Sequence, residues 1–212
     1  VTIINPAAGA DTPILSELNQ ATNSHHIANE ILVTQNHSDL KRFAQKAIKL
    51  KPDAVMVHGG DGTIVEVAKF LYKTEIPLII VPGGTANVIA KELEIPLNTV
   101  EALKVLGRKP KVRKLNVASF GHKEMFLRVE VGILAKMVKE ATSELKSKLG
   151  ILAYPFVAFK EAAAAVPSLY SLTLDGQKRQ IEGVGLMVAN VGNIGVPGFS
   201  IHSHVNCSDG LL

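Results

Sequence analysis

The sequence predicts an α/β N-terminal domain, a parallel sheet with helices on both faces, followed by a mainly antiparallel β C-terminal domain. Three observations predict it. Short apolar runs alternate with stretches of helical spacing from Val1 to about Pro110, the pattern of a parallel sheet covered on both sides. The alternation is then lost, and strand-like segments joined by turn dipeptides take over. Two of the early strands, moreover, run straight into glycine-rich turns that open helices, Gly59-Gly60-Asp61-Gly62-Thr63 and Pro82-Gly83-Gly84-Thr85-Ala86-Asn87. The two domains are drawn as residues 1–110 and 111–212.

Val1 to Ile4 reads as the first strand and Asn5-Pro6-Ala7-Ala8-Gly9 as a turn. Pro13 to Asn23 reads as a helix with Ile14, Leu15 and Leu18 on its apolar side, and Ile27 to Thr34 as the second strand. Ser38 or Asp39 is placed to cap a helix that reaches Leu50, with Leu40, Phe43, Ala44, Ala47 and Ile48 as its apolar face and Pro52 as its stop. Ala54 to Val57 is a buried strand, and Val67, Ala68, Phe70 and Leu71 fall on one side of the helix that follows. Thr63 and Glu66 form a T-x-x-E capping box for that helix. Pro77 to Val81 is the next strand, a helical run reaches about Leu93, and Thr99 to Leu106 is a helix ended by Gly107.

Beyond Pro110, Val112 to Ser119 and Met125 to Val131 read as strands around a Gly121-His122 turn. Leu134 to Lys148 and Pro155 to Val166 read as helices, Pro155 being tolerated in a first turn. Leu169 to Leu174 and Lys178 to Glu182 flank Asp175-Gly176, a type I′ hairpin signal. Gly183 to Asn190 is an apolar strand, and Gly192, Gly195, Pro197 and Gly198 mark a loop.

Composition narrows the function classes. An apolar fraction of 47% supports a true core, and a charged fraction of 20% argues against disorder. The single cysteine, Cys207, excludes an intrachain disulfide and suits a reducing, cytoplasmic compartment. No run reaches the ~18 apolar residues of a membrane span; the longest, Gly150 to Val166, is broken by Lys160 and Glu161. The first residues lack the basic region and apolar core of a signal peptide. There is no initiator Met and Leu211-Leu212 falls inside an apolar element, so both ends are expected to be trimmed. The net charge of +4 is uneven: Lys104 to Lys148 holds twelve basic and four acidic residues, a balance of +8. Such a stretch attracts an anionic partner, of which a membrane surface is the expected one. With seven Phe, three Tyr and no Trp, base stacking is poorly served, and no nucleic-acid partner is expected. A homodimer is left open.

The two glycine turns carry the chemistry. A strand-to-helix turn offers unpaired N–H groups and the positive end of a helix dipole, which suit phosphate. Glycine there lets the backbone take left-handed angles and lets a ligand come close. Two such turns on successive parallel strands lie at the carboxyl edge of a sheet, where open α/β folds bind ligands. Asp61 is an acid among these glycines and would by itself repel phosphate. It makes sense as a magnesium or water ligand, as a proton acceptor, or as a brace for the loop, and a turn residue is its plain structural alternative. Asn87 could hold a ribose or phosphate oxygen, or cap a helix. Lys69 and Lys91 are better placed in solvent. His202, His204 and Cys207 lack a fourth ligand, so no zinc site is expected.

GGDGT followed by PGGTAN resembles the catalytic domain of the diacylglycerol kinase family in its bacterial lipid kinase branch, with sphingosine and ceramide kinases as relatives. Asn5-Pro6 with Gly9, Lys148-Leu149-Gly150 with Ala153-Tyr154, and Asp209-Gly210-Leu211-Leu212 resemble further motifs of that family, so the likeness spans nearly the whole chain. It implies a lipid kinase that uses ATP and Mg²⁺ to phosphorylate a lipid hydroxyl, most plainly of diacylglycerol, at a membrane surface. Residues 1–110 would then be the nucleotide-binding domain and residues 111–212 part of the lipid-substrate domain. By the same resemblance Gly59, Gly60, Gly62, Thr63, Gly83, Gly84 and Thr85 line the nucleotide phosphates, Asn5 and Asn87 lie near the nucleotide, Asp61 is catalytic and Asp209 belongs to a magnesium site. The sequence departs from the family at Val88, where many members carry Asp, so no second acid is expected there. The family's Asp-Gly-Glu stretch, whose acids are proposed to activate the lipid hydroxyl, falls beyond Leu212. NAD kinases share GGDGT but pair it with an Asn-Glu that this chain lacks after the motif. An NAD kinase and a non-catalytic nucleotide- or lipid-binding module are the two other readings.

Overall fold

The computed structural model describes residues 1–9, 13–108, 110–140, 165–193 and 205–210. The chain divides into two compact units, Val1–Asn116 with Val191–Gly210, and Val117–Asn190.

The first unit is built on a parallel sheet of β1 (Thr2–Ile4), β2 (Ile31–Val33), β3 (Val55–Gly59) and β4 (Leu78–Pro82), in the order β2-β1-β3-β4. Every pair is parallel, with Ile4 beside His58 and His58 beside Val81 in register. β2 is shorter than the predicted Ile27 to Thr34 because a three-residue β1 offers partners only to Ile31, Leu32 and Val33. Two helix pairs cover the sheet. α1 (Ile14–Ser24) packs on α5 (Thr99–Leu103), and α2 (Ser38–Leu50) packs on α3 (Asp61–Leu71). Because alternate strand residues face opposite sides, Ile4, Met56 and Val81 join Leu18, Ala102 and Leu103 in one buried cluster on the α1/α5 side. Leu40, Ala44, Ala47, Ile64, Val67 and Leu71 are the buried apolar residues of α2 and α3.

Two cap readings are corrected. Neither Ser38 nor Asp39 is the N-cap of α2; His37 holds that position. The Asp39 carboxylate reaches back to accept from Gln35 N–H at 2.8 Å and Asn36 N–H at 3.2 Å, and pairs with Arg42 at 2.6 Å. Thr63 and Glu66 form no capping box either. The helix begins earlier, behind Gly60, which places Thr63 inside the first turn, while Glu66 pairs with Lys69 at 2.7 Å. The short α4 (Val88–Glu92) follows the second glycine turn. α5 stops at Leu103 and tightens into a 3-10 turn over Lys104–Gly107, and its N-cap Asn98 accepts from Glu101 N–H at 3.1 Å.

The second unit contains antiparallel pairs. β5 (Ala118–Phe120) and β6 (Lys123–Met125) pair around Gly121-His122, and β7 (Arg128–Gly132) pairs with β10 (Gly185–Ala189). α6 (Ile133–Glu140) follows β7 directly. β8 (Ser168–Leu174) and β9 (Gln177–Gly183) form the expected hairpin, with Asp175 at φ 49° and Gly176 at φ 80°, the two positive angles of a type I′ turn. The predicted strand from Val112 to Ser119 is confined to its last residues. Val112 is 72% exposed and pairs with no strand among the described residues, and Asn116 N–H is taken by Cys207 C=O at 2.7 Å. The predicted strand from Met125 to Val131 is two strands with different partners. The predicted helices lie outside the described residues beyond Glu140 and from Pro155 to residue 164.

Candidate functional site

In the order β2-β1-β3-β4 the chain steps from β1 outward to β2 and returns on the other side of β1 to β3. The strand order therefore reverses between β1 and β3, and the carboxyl ends of those strands are where such a sheet binds ligands. The Asn5 turn follows β1 and the Gly59-Gly60-Asp61 turn follows β3. Asn5 joins them: its backbone N–H donates to His58 C=O at 3.0 Å, and its Nδ2 donates to Thr63 Oγ1 at 3.0 Å. Its own Oδ1 accepts from Ala7 N–H at 3.1 Å and closes the turn.

The two glycine turns lock together. Gly83 N–H donates to Gly59 C=O at 2.9 Å. A Cβ placed on Gly84 would lie 2.6 Å from Gly60 Cα, and one on Gly59 would lie 2.6 Å from the Thr63 side chain. None of Gly59, Gly60, Gly62, Gly83 and Gly84 has a left-handed φ. The expectation that these glycines supply left-handed angles is thus corrected: Gly60 and Gly84 are small so that one turn can press on the other, Gly59 so that the Thr63 side chain fits against it, and Gly83 so that the His58 ring and Ala8 fit against it. Gly62 differs, since a Cβ there meets nothing within 4 Å. The left-handed angle of the second turn belongs to Asn87, at φ 49°. Asn87 stands at the N-cap of α4 without capping it. Its buried side chain clasps Gly84 instead, accepting from Gly84 N–H at 2.8 Å and donating to Gly84 C=O at 2.7 Å. Thr85 is exposed beside it.

Asp61 braces the pair of turns. Its Oδ1 accepts from Ile89 N–H, in the first turn of α4, at 3.0 Å. No side chain caps α3, so its first turn offers N–H groups toward the open space at Gly62. Uncapped N–H groups, a neighbouring glycine turn and one carboxylate can cradle phosphate and act on what it is transferred to.

One residue of the site goes unread in the sequence. His58 is the penultimate residue of β3 and is 1% exposed, on the same side of the sheet as its register partners Ile4 and Val81. Its ring lies under the second turn: a Cβ on Gly83 would be 2.7 Å from His58 Nε2 and 3.2 Å from Ala8 Cβ. Among the described residues neither ring nitrogen has a hydrogen-bond partner. Each unsatisfied buried group costs about 1–3 kcal/mol. Burial holds the imidazole pKa below its ordinary value, so the ring is neutral. The available signal was a titratable residue closing the apolar run Val55-Met56-Val57 immediately before a glycine turn.

Asp209 is not brought to the glycine turns by any hydrogen bond among the described residues. It accepts from Asn116 Nδ2 at 3.2 Å, and Gly210 N–H donates to Asn116 Oδ1 at 3.1 Å. Among the described residues no group of three or more His, Cys, Asp or Glu could hold a metal ion. Magnesium binds through one or two carboxylates with water completing its shell, and Asp209, a carboxylate beside the Asn116 amide, fits as one such ligand. His202 and His204 lie outside the described residues, as does the stretch from Lys148 to Tyr154. No helix among the described residues is long and apolar enough to cross a membrane.

Comparison with known proteins agrees with this geometry. The diacylglycerol kinase catalytic domain matches residues 1–120, and the YegS C-terminal NAD kinase beta sandwich-like domain matches residues 128–212. A protein of Pseudomonas putida named "Probable lipid kinase YegS-like" is 33% identical over 170 residues, 77% of this chain and 55% of its own length. One of the same name from Klebsiella pneumoniae is 33% identical over 151 residues, 69% of this chain and 50% of its own length. A crystal structure described as a "putative diacylglycerol kinase" from Bacillus anthracis superposes with a TM-score of 0.83 at 29% identity, covering 99% of this chain and 70% of that one. The chain spans about half the length of these curated relatives. With the catalytic-domain match covering more than half of its residues, the chain belongs to the diacylglycerol kinase catalytic domain family of lipid kinases.

Proposed function

We propose that this chain carries the nucleotide site of a kinase that moves the γ-phosphate of ATP to the hydroxyl of a lipid, diacylglycerol or a related lipid alcohol. The observation that carries the reading is the locked pair of glycine turns at the strand-order reversal, bridged by Asp61. In this reading the phosphates lie on the first turn of α3, beside Gly62, with Gly60, Thr63, Gly84 and Thr85 around them. Asn5 and Asn87 hold the loops in place through Thr63 and Gly84. Gly59 and Gly83 act from behind, by their close fit. Magnesium bound with the nucleotide offsets phosphate charge, and Asp209 is the residue offered to it.

Asp61 uses one oxygen to hold α4, and among the described residues no hydrogen bond is made to the other. That oxygen is left for the reaction, where a carboxylate can take the proton of the attacking hydroxyl. Asn in its place keeps the Oδ1 acceptor for Ile89 and loses the charge. Asp61→Asn in the complete polypeptide is therefore expected to fold normally and to lose a hundredfold or more of its rate, of the order set by several kcal/mol of transition-state stabilisation. The assay is labelled ATP with diacylglycerol, a sphingoid base and an isoprenoid alcohol, with NAD as a control. Near-normal turnover by the Asn variant removes Asp61 from the chemistry. Turnover of NAD alone replaces the lipid reading, and ATP binding without turnover of any acceptor leaves a binding module.

A further inference from the structure

We propose that His58 is a proton-linked positioning residue of the nucleotide site: when polyphosphate occupies the glycine turns, the buried imidazole takes up a proton and holds the Gly83–Gly84 turn toward the anion. The inference rests on the reading that these turns bind nucleotide phosphate.

A histidine that closes an apolar strand under a ligand loop has two ordinary explanations, and neither applies. It is not tethered by hydrogen bonds, since both nitrogens are unpartnered among the described residues. It is not an exposed side chain folded back, since 1% of its surface is accessible. Its surroundings are Ile4 and Val81 in register on either side, with Gly83 and Ala8 above. Buried unsatisfied polar groups are uncommon enough in folded proteins that each needs a reason. Here the ring is placed directly beneath the backbone of a turn that also bonds Gly59 and presses on Gly60.

The electrostatics favour a switch. The neighbouring elements carry Glu17 on α1, Asp61 on α3, Glu101 on α5 and Lys104 in the 3-10 turn after it as charged groups. None of them perturbs the imidazole, for which burial is the only cause of its lowered pKa. Asp61 accepts from Ile89 N–H through one oxygen, Glu101 pairs with Lys104, and Glu17 has a buried Oε2 with no hydrogen-bond partner among the described residues. With burial the only influence on the imidazole, the free protein keeps His58 neutral. A bound polyphosphate brings several negative charges to the other side of the Gly83–Gly84 backbone, and an opposite charge near a buried base raises its pKa. One ring nitrogen then accepts a proton from solvent and the ring becomes an imidazolium; no bond to the nucleotide forms or breaks.

Linkage fixes the sign. His58 is neutral in the free protein and gains a proton on binding, so nucleotide affinity rises as pH falls between the free and bound pKa values. Above both values His58 adds nothing, and below both its full contribution is present. Each unit by which binding raises the pKa corresponds to about a tenfold gain in affinity.

The test is calorimetric titration of the full chain with a non-hydrolysable ATP analogue, between about pH 5 and 8, in two buffers of different ionisation heat. Wild type is compared with His58→Gln and His58→Leu. Wild type is expected to take up more protons than either variant, with the difference fading toward the alkaline end. The His58 imidazole resonance is expected to move toward the protonated form when the analogue is added. A packing role alone would weaken binding equally at every pH. Equal proton uptake in wild type and a folded variant overturns the inference, as does an imidazole resonance that stays neutral at saturation. If neither variant folds, that resonance in wild type decides. Absence of analogue binding by wild type removes the nucleotide reading, and this inference with it, whereas binding without proton linkage removes this inference alone.

Discussion

Asp61 and His58 sit three positions apart and do opposite things with polarity. Asp61 spends a carboxylate oxygen on Ile89 N–H across 28 residues of sequence, so Asp61→Ala is expected to cost about 1 kcal/mol of stability, as loss of a helix cap does, where Asp61→Asn costs little. Chemical denaturation of the two variants checks this independently of any kinase assay. His58 leaves its polarity unanswered. Its folded pKa lies below the ordinary 6.5, so as pH falls the unfolded chain binds that proton first. Stability is then full above about pH 6.5 and lost progressively below it. His58→Leu is expected to flatten this loss, measured as unfolding midpoints at about pH 7 and about pH 5. At this scale the sequence revealed Asp61, because an acid among glycines is locally odd. It concealed His58 and the Ile89 contact, because burial and long-range bonding are set by other strands and loops.

The strands and helices of the first unit were legible because their patterns are local: the continuous apolar run of β3, buried at all five positions, and the apolar stripes of α2 and α3 stand in the sequence as they stand in space. Helix starts were not, because the Gly60 turn replaces the expected Thr63 cap and Asp39 bonds backward. Nor was the reason for the glycines, since a motif does not say whether a missing Cβ makes room for a ligand or for a neighbouring turn. The structure separates the two cases, and a pair of substitutions tests them. Gly84→Ala drives a Cβ to 2.6 Å from Gly60 Cα, a backbone clash of the kind that costs about 1–3 kcal/mol, and is expected to lower both thermal stability and nucleotide affinity. Gly62→Ala meets nothing within 4 Å and sits inside α3, where Ala is favoured over Gly by up to about 1 kcal/mol. It is expected to keep or raise the melting temperature while weakening nucleotide binding. Melting curves with and without nucleotide read both effects.

For the whole molecule, the change from parallel to antiparallel architecture was visible as the end of strand–helix alternation. The second unit's pairing was not, because β7 finds its partner in β10 more than fifty residues later. The basic stretch from Lys104 to Lys148 adds a molecular-scale expectation. Lys111, Arg113 and Lys114 are exposed on its described part, and each basic residue near an anionic membrane contributes about 1 kcal/mol, screened over roughly a Debye length. We propose peripheral binding through this stretch. Co-sedimentation with anionic vesicles is expected to fall steeply with added salt and to be absent with neutral ones; sedimentation indifferent to both would remove the stretch as the anchor. The first unit also has a history in time. Asn116 bonds to Asp209 across 93 residues, and Glu92 receives Asn193 N–H at 3.0 Å. A ribosome adding ~5–20 residues per second delivers those late partners roughly 5–20 s after Asn116 has emerged. During that interval the parallel half is complete in its strands and lacks its returning segment, which makes the nascent chain the form most exposed to chaperones and proteases.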